Sequence, residues 1–220
     1  MNYKNNNFSI NVGFQVTITE IQAAIDQTNE LLRDLPSTLY KSIDYKTTSA
    51  MIGAIFCDTL ATLVGGIVNP IEKGHPDIIP PSGANATEEE LRAYPEGLEI
   101  KCTVGNIKKG ANLRAGQTRI DDLEGVTWQA HHREVRELLG LVWDFVDDDH
   151  KFNFPTITGS FYSDQLVEDD WGKISGTTGR NTKVSGMTSS GKKKMGSGWV
   201  SLIDEPKYID KFKALLKFNI

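Results

Sequence analysis

The chain has 220 residues, of which 39% are hydrophobic and 24% are charged, and its formal net charge at pH 7 is −5. This length and composition suit one well-packed domain and do not require two. Cys57 and Cys102 both lie in apolar segments, which argues against a disulfide scaffold and a cysteine zinc site. No signal-peptide pattern is present and we expect no apolar run of membrane-spanning length, so we expect a cytoplasmic protein without membrane contact.

Helical patterns occupy the first third of the chain. Thr17 to Glu20 form a capping-box sequence, and apolar residues then recur at helical spacing from Ile21 until Pro36. A second helix is predicted from about residue 47 to residue 64 and is apolar around much of its circumference, which favours burial against a sheet. Gly65 follows it as a stop signal.

Residues 98–104 alternate between apolar and polar side chains, which predicts a β-strand with one face in the core. Glu99 and Lys101 then emerge as neighbours on the opposite face. A second acid, Asp77, follows Pro76 and begins another short apolar run that can pair beside this strand. Two carboxylates and one ammonium group at the end of a sheet suit a divalent-metal site with a cationic assistant, the apparatus for hydrolysing a phosphodiester.

The pattern resembles the PD-(D/E)XK nuclease superfamily, whose motif is Pro-Asp, a variable gap and then acid-x-Lys. Here it is formed by Pro76-Asp77 and by Glu99-Ile100-Lys101, and the resemblance covers residues 72–104 in detail. The competing interpretation is structural. In it, Glu99 and Lys101 are the solvated face of an ordinary strand and form a weak surface ion pair.

The resemblance implies a site for Mg²⁺, with Mn²⁺ as a substitute. Asp77, Glu99 and, by analogy, the backbone carbonyl of Ile100 would hold the ion, and water would attack in line without a covalent intermediate. Lys101 would orient that water and stabilise charge in the transition state. A third acid often assists in this family, and the candidates are Asp58, for which a structural hydrogen bond is an equal alternative, and Glu72, for which a solvated turn position is favoured.

The remaining elements are predicted with less regular patterns. We expect a basic loop at 106–117, a helix at about 127–145, strand-like runs at 152–162, a Gly/Ser/Thr-rich loop at 175–198, a strand at 199–203 and a helix at 208–218. This order predicts an α/β protein with a mixed central β-sheet flanked by helices, a restriction endonuclease-like core, and a β-rich C-terminal elaboration. We therefore assign 1–220 to a single nuclease domain, with the catalytic core at about 48–145 and DNA recognition at about 150–205.

Two segments, 100–120 and 171–200, contain basic residues and no acids, and they offer basic surfaces on an acidic body. Solvated loops are the alternative for each. The candidate DNA contacts from these segments and the stretch between them are Lys108, Lys109, Arg114, Arg119, Gln129, His132, Arg180, Asn181, Lys183, Lys192, Lys193 and Lys194. Adjacent His131 and His132 on a helix would point about 100° apart, so we do not expect them to share a metal ion.

Together these features predict a Mg²⁺-dependent, site-specific endonuclease of double-stranded DNA, of the type II restriction class. The glycine-rich segments lack the Walker spacing, so no nucleotide cofactor is expected. A palindromic double-strand cut requires two sites related by a two-fold axis, hence a homodimer. Two alternatives stay open: a repair or junction-resolving nuclease of the same superfamily, and a non-catalytic DNA-binding protein.

Overall fold

The computed structural model describes residues 2–72, 74–107, 115–146, 152–175 and 184–220. The helices within these ranges are α1 Ile18–Asp34, α2 Ser37–Ser42, α3 Tyr45–Val64, α4 Glu88–Leu91, α5 Ser189–Ser197 and α6 Pro206–Leu216. The strands are β1 Asn2–Lys4, β2 Ser9–Asn11, β3 Gln15–Thr17, β4 Ile67–Val68, β5 Ile78–Ile79, β6 Ile100–Thr103, β7 Asn106–Ile107, β8 Leu123–Gly125, β9 Gln129–Ala130, β10 Leu138–Val146, β11 Phe154–Ser163, β12 Ser185–Gly186 and β13 Trp199–Ile203.

A five-stranded sheet in the order β1-β13-β11-β10-β6 forms the centre of the fold. Strands β6 and β10 pair in parallel, whereas the other neighbours in this sheet are antiparallel. The prediction of an α/β protein with a mixed central sheet flanked by helices is therefore confirmed. The parallel pair places β6 at one edge of the sheet, with Glu99 immediately before the strand and Lys101 within it.

The central sheet separates two hydrophobic cores, and β10 contributes to both. Leu139, Leu141 and Phe145 lie in the core that contains the buried residues of α1 and α3. Leu138 and Val142 lie in the core on the opposite face, together with the buried residues of α6. Successive strand side chains point to opposite faces, so a strand covered on both sides buries every residue.

Helices α1 and α3 agree closely with the two helices predicted for the first third of the chain. Helix α1 begins with the predicted capping box between Thr17 and Glu20, and it ends at Asp34 before Pro36. Helix α3 ends at Val64 and is capped by Gly65, whose φ of 67° is the left-handed conformation that glycine adopts readily.

Helix α3 is long and apolar enough to cross a membrane by length and composition, and among the described residues it is the one helix that meets this test. The expectation that no segment reaches that length is thus wrong. In the structure Ile52, Phe56 and Leu60 of α3 are fully buried in the core beside α1. This packing is consistent with the core helix of a soluble protein.

The predicted helix at 127–145 is wrong, because this stretch contains strands β9 and β10 instead. All nine residues of β10 are buried. A strand covered on both faces reads as a continuous apolar run without period-two alternation, and such a run can match helical spacing by chance. His131 and His132 consequently follow a strand, and the argument about their spacing on a helix does not apply.

The C-terminal elaboration is also organised differently from the prediction. Strands β11 and β13 belong to the central sheet, so the region 150–205 contributes to the core. The predicted loop at 175–198 contains helix α5 in its second half. Gly196 permits close packing of this helix on α6, because a Cβ at this position would lie 2.5 Å from the carbonyl oxygen of Leu216. Tertiary packing thus outweighs the poor helix propensity of glycine and serine.

Candidate active site

The backbone around β5 and β6 brings Asp77 next to Glu99. Ile78 and Leu98 exchange hydrogen bonds, with the Ile78 amide 3.1 Å from the Leu98 carbonyl and the Leu98 amide 2.8 Å from the Ile78 carbonyl. Gly97 makes this approach possible, because its φ is 135° and a Cβ there would lie 2.2 Å from the Ile78 oxygen. The residues that immediately flank this pair, Asp77 and Glu99, are therefore held side by side.

Three oxygen atoms converge on the ammonium group of Lys101. Its Nζ lies 2.5 Å from Glu99 Oε1, 3.1 Å from Asp77 Oδ2 and 3.1 Å from the carbonyl oxygen of Ile100. These oxygens belong to the three groups that the resemblance implies as metal ligands. The structure thus brings Asp77, Glu99, Ile100 and Lys101 together around one point.

Glu99 is buried, with 5% of its surface exposed, so the interpretation as a solvated surface ion pair is wrong. Its second oxygen, Oε2, lies 3.2 Å from Nδ1 of His75. Asp77 Oδ2 also accepts a hydrogen bond of 2.7 Å from the backbone amide of Ile100. Each carboxylate therefore has a second partner besides Lys101, which fixes its orientation.

The charges of this cluster shift one another's pKa values. Burial by itself raises the pKa of Glu99, but the His75 hydrogen bond and the Lys101 ammonium group outweigh burial and lower this pKa to about 2. Burial raises the pKa of Asp77, and the negative charge of Glu99 raises it further. Burial disfavours the Lys101 ammonium group, yet the two carboxylates raise the pKa of Lys101 above its usual value. Lys101 therefore stays protonated at neutral pH.

The donor set fits a hard divalent cation. Glu99 Oε1 is buried, and its partner is the Lys101 ammonium group at 2.5 Å. Two carboxylates and a backbone carbonyl that surround one positive charge are oxygen ligands of the kind that Mg²⁺ prefers. The described residues hold no cluster of three or more His, Cys, Asp or Glu side chains that could bind a metal ion. A cation here would thus need water or substrate oxygens to complete its coordination.

His75 is a further residue of the site, although its position between Gly74 and Pro76 is typical of a turn residue. The Glu99 hydrogen bond raises the pKa of His75 above its usual value, although burial opposes this shift. The ring of His132 packs edge-on against that of His75, with 4.6 Å between their centroids. Burial and the neighbouring His75 lower the pKa of His132. The Gly-His-Pro-Asp string, with a histidine two residues before the acid, is the one sequence signal that pointed to His75.

His75, Asp77, Ile100 and Lys101 line a cavity of about 1030 Å³, whereas the buried Glu99 does not line it. One wall is the small-residue side of α3, which includes Ala50, Gly53 and Ala54. Polar side chains around the rest of the cavity include Lys46 and Gln129. Lys46 was not singled out from the sequence because it lies in a segment without a basic run.

Neither predicted third acid belongs to this site. Asp58 is an exposed residue of α3, so it does not need the buried partner that its apolar surroundings suggested. Glu72 is exposed in the turn before Asp77, as the solvated alternative predicted. Neither residue lines the cavity that contains Asp77.

The predicted DNA contacts are scattered in the structure. Six of them, Lys108, Lys109, Arg114, Arg180, Asn181 and Lys183, lie outside the described residues. Of the others, Gln129 is exposed and lines the cavity, whereas His132 packs on His75.

The remaining predicted contacts are basic residues that do not line the cavity. Arg119 is wrong as a surface contact, because it is 4% exposed and its guanidinium group bonds the carbonyls of Val104 and Gly105 and stacks over the Tyr45 ring. Lys192, Lys193 and Lys194 lie on α5, and the Lys194 ammonium group contacts the buried carboxylate of Asp170 at 2.5 Å.

Comparisons of the chain with protein-family models, with curated proteins and with solved structures find no match.

Proposed function

We propose that the chain is a divalent-metal-dependent nuclease that hydrolyses phosphodiester bonds of double-stranded DNA. The observation that carries the proposal is the convergence of the Asp77, Glu99 and Ile100 oxygens on one cationic point in the wall of a large cavity. A surface ion pair would need neither the burial of Glu99 nor a backbone carbonyl directed at the same charge.

The carboxylates and the lysine of the site would have different roles because their charges are opposite. Asp77, Glu99 and the Ile100 carbonyl would hold Mg²⁺, or Mn²⁺ as a substitute. When bound, the ion polarises a phosphoryl oxygen and lowers the pKa of a water molecule. The raised pKa of Lys101 keeps its side chain cationic, so it would stabilise negative charge on the phosphate rather than accept a proton from water.

Within this class we propose a type II restriction enzyme that acts in the cytoplasm as a homodimer, with a restriction endonuclease-like core. The candidate site lies within a single sheet-and-helix unit, so one chain would supply one active site. A palindromic double-strand cut would therefore require a second copy of the chain. A repair or junction-resolving nuclease would share the same catalytic residues and would differ in the DNA that it cleaves.

The test is cleavage of mixed-sequence plasmid and linear DNA by the purified protein with Mg²⁺, Mn²⁺, Ca²⁺ or EDTA. We expect discrete fragments with Mg²⁺ or Mn²⁺, binding without turnover in Ca²⁺, and intact DNA in EDTA. Cleavage restricted to branched substrates would favour a junction-resolving nuclease. DNA binding without cleavage under any metal condition would favour the non-catalytic alternative, and cleavage in excess EDTA would refute the metal-dependent mechanism.

Single substitutions then test which residues are required for cleavage. Asp77→Asn, Glu99→Gln and Lys101→Ala should each lower the cleavage rate by at least about 10²-fold while DNA binding is retained, because each removes a metal ligand or a transition-state charge. Glu72→Gln is the matched control, since this exposed acid precedes Asp77 by five residues and should leave cleavage unchanged. Near wild-type cleavage by any of the three site variants would refute the assignment.

A further inference from the structure

The hydrogen bond between His75 and Glu99 has a defined direction. Nδ1 of His75 lies 3.2 Å from Glu99 Oε2, and the other oxygen of Glu99 forms an ion pair with the Lys101 ammonium group at 2.5 Å, as an ionised carboxylate does. An ionised carboxylate only accepts hydrogen bonds, so Nδ1 must carry the proton whether the imidazole is neutral or charged. His75 is therefore a donor to Glu99.

His75 is held on several sides. Its backbone amide donates to the carbonyl of Leu91 at 3.2 Å, and its own carbonyl accepts from the amide of Tyr94 at 2.7 Å. The His132 ring packs edge-on against the imidazole with an interplanar angle of 73°. The donor nitrogen is thus presented to Glu99 from a constrained position rather than from a mobile loop side chain.

We infer that His75 is a positioning residue that sets the rotation of the Glu99 carboxylate. Its Nδ1–H engages Oε2, which leaves Oε1 at the point where the Asp77 and Ile100 oxygens also converge. Glu99 then offers one oxygen to a cation and not two. The inference rests on the proposed metal-dependent function and adds to it a residue that acts through Glu99.

The expected loss of cation affinity on removal of His75 can be estimated from other residues that orient a metal ligand. Groups that orient a metal ligand typically account for 10–100-fold in metal affinity when they are removed. We therefore expect loss of the donor to weaken divalent-cation binding by about 10–100-fold. Saturating metal should restore much of the cleavage rate, because the ligands themselves remain.

The experiment measures Mn²⁺ binding to the intact metal-free protein by electron paramagnetic resonance, together with the Mn²⁺ dependence of cleavage. His75→Asn keeps an N–H donor close to the Nδ1 position, whereas His75→Gln places its amide one bond further away and His75→Leu has no donor. His131→Leu is the control, since this histidine lines the same cavity. We expect wild-type affinity in His75→Asn and in the control, and weakened affinity in His75→Gln and His75→Leu.

The outcomes separate this inference from the proposed function. Wild-type Mn²⁺ affinity in both His75→Gln and His75→Leu would overturn the inference alone. Absence of Mn²⁺ binding by the wild-type protein would overturn the proposed function and the inference with it. If His75→Leu does not fold, as judged by circular dichroism, the comparison between the polar variants His75→Asn and His75→Gln still decides the question.

Discussion

Replacement of Lys101 by methionine tests the electrostatics of the site without any DNA. Methionine keeps an unbranched side chain and removes the charge that lies between Asp77 and Glu99. The buried carboxylate of Glu99 and the half-buried carboxylate of Asp77 would then face each other without the ammonium group between them. We expect the variant to fold with a lower free energy of unfolding at pH 7.

The magnitude can be worked from Glu99. Its pKa falls from 4.5 to about 2 in the folded protein. At 1.36 kcal/mol per pKa unit this corresponds to about 3 kcal/mol of stability, shared between Lys101 and His75. Breaking a buried ion pair by removing one partner costs about 3–5 kcal/mol in other proteins. We therefore expect Lys101→Met to lower the free energy of unfolding by about 3 kcal/mol at pH 7.

The sign of the pH dependence follows from the lowered pKa. A carboxylate with a depressed pKa contributes stability above its unfolded value, here near 4.5, and this contribution is lost as the pH falls toward 2. The stability difference between the wild-type protein and Lys101→Met should thus be largest at neutral pH and shrink below pH ~5. Asp77, whose pKa is already raised, should take up a proton first in the variant.

Urea unfolding in EDTA at several pH values measures these differences, with Lys46→Met as the control. Lys46 lines the same cavity but is exposed, so its replacement should change stability by less than about 0.5 kcal/mol. Under the proposed function, Mg²⁺ or Ca²⁺ should recover part of the loss in Lys101→Met, by up to about 2.7 kcal/mol at a hundredfold excess over the dissociation constant. A variant as stable as the wild-type protein at pH 7, or a difference independent of pH, would refute this account of the site.

Two other predictions concern residues away from the site. Burial raises the pKa of Asp144 to about 6 from a usual value of 3.8, so the contribution of Asp144 to wild-type stability should fall by about 2.4 kcal/mol as the pH rises from 4 to 8. Asp144→Asn should lack this loss, and thermal unfolding of both proteins across that range checks it; parallel pH profiles would contradict it. If α5 contacts DNA, Lys192→Gln with Lys193→Gln should weaken binding to all sequences and reduce the slope of log affinity against log salt by about two, as fluorescence anisotropy can measure. An unchanged slope would exclude both lysines as phosphate contacts.

The acids and the lysine of the site could be predicted because their signals are local. Alternation along residues 98–104 is a property of one strand, and Asp77 precedes an apolar run long enough to pair with it. His75 could not be assigned in this way. Its role depends on a carboxylate 24 positions later in the chain, and only the folded backbone brings the two groups together.

The predictions that failed depended on burial, which local patterns report poorly. Strand β10 lies between two cores, so its apolar run carried no alternation and was assigned to a helix. Arg119 lies in a basic segment, yet it is buried by its contacts with the Tyr45 ring and with the backbone carbonyls of Val104 and Gly105, which are 15 and 14 positions earlier in the chain. Neither contact has a signature in the residues around Arg119.

The position of β6 at the sheet edge explains why a backbone carbonyl takes part in the site. In the parallel pair with β10, the carbonyl of Glu99 accepts a hydrogen bond of 2.9 Å from the amide of Leu139. Backbone groups of successive strand residues alternate in direction, so the amide and carbonyl of Ile100 face the edge at which the five-stranded sheet ends in the described part of the chain. Unpaired edge groups invite association with other chains unless they are covered.

Here the site itself covers this edge. Asp77 Oδ2 accepts from the Ile100 amide, and the Lys101 ammonium group donates to the Ile100 carbonyl. A residue between the acid and the lysine therefore always directs its carbonyl to the same side as the incoming aspartate, whatever its own side chain is. Substitution of Ile100 should for this reason alter packing in the core more than the geometry of the site. A one-residue shift of β6 against β10, in contrast, would direct the carbonyl at position 100 into the sheet and disrupt the site.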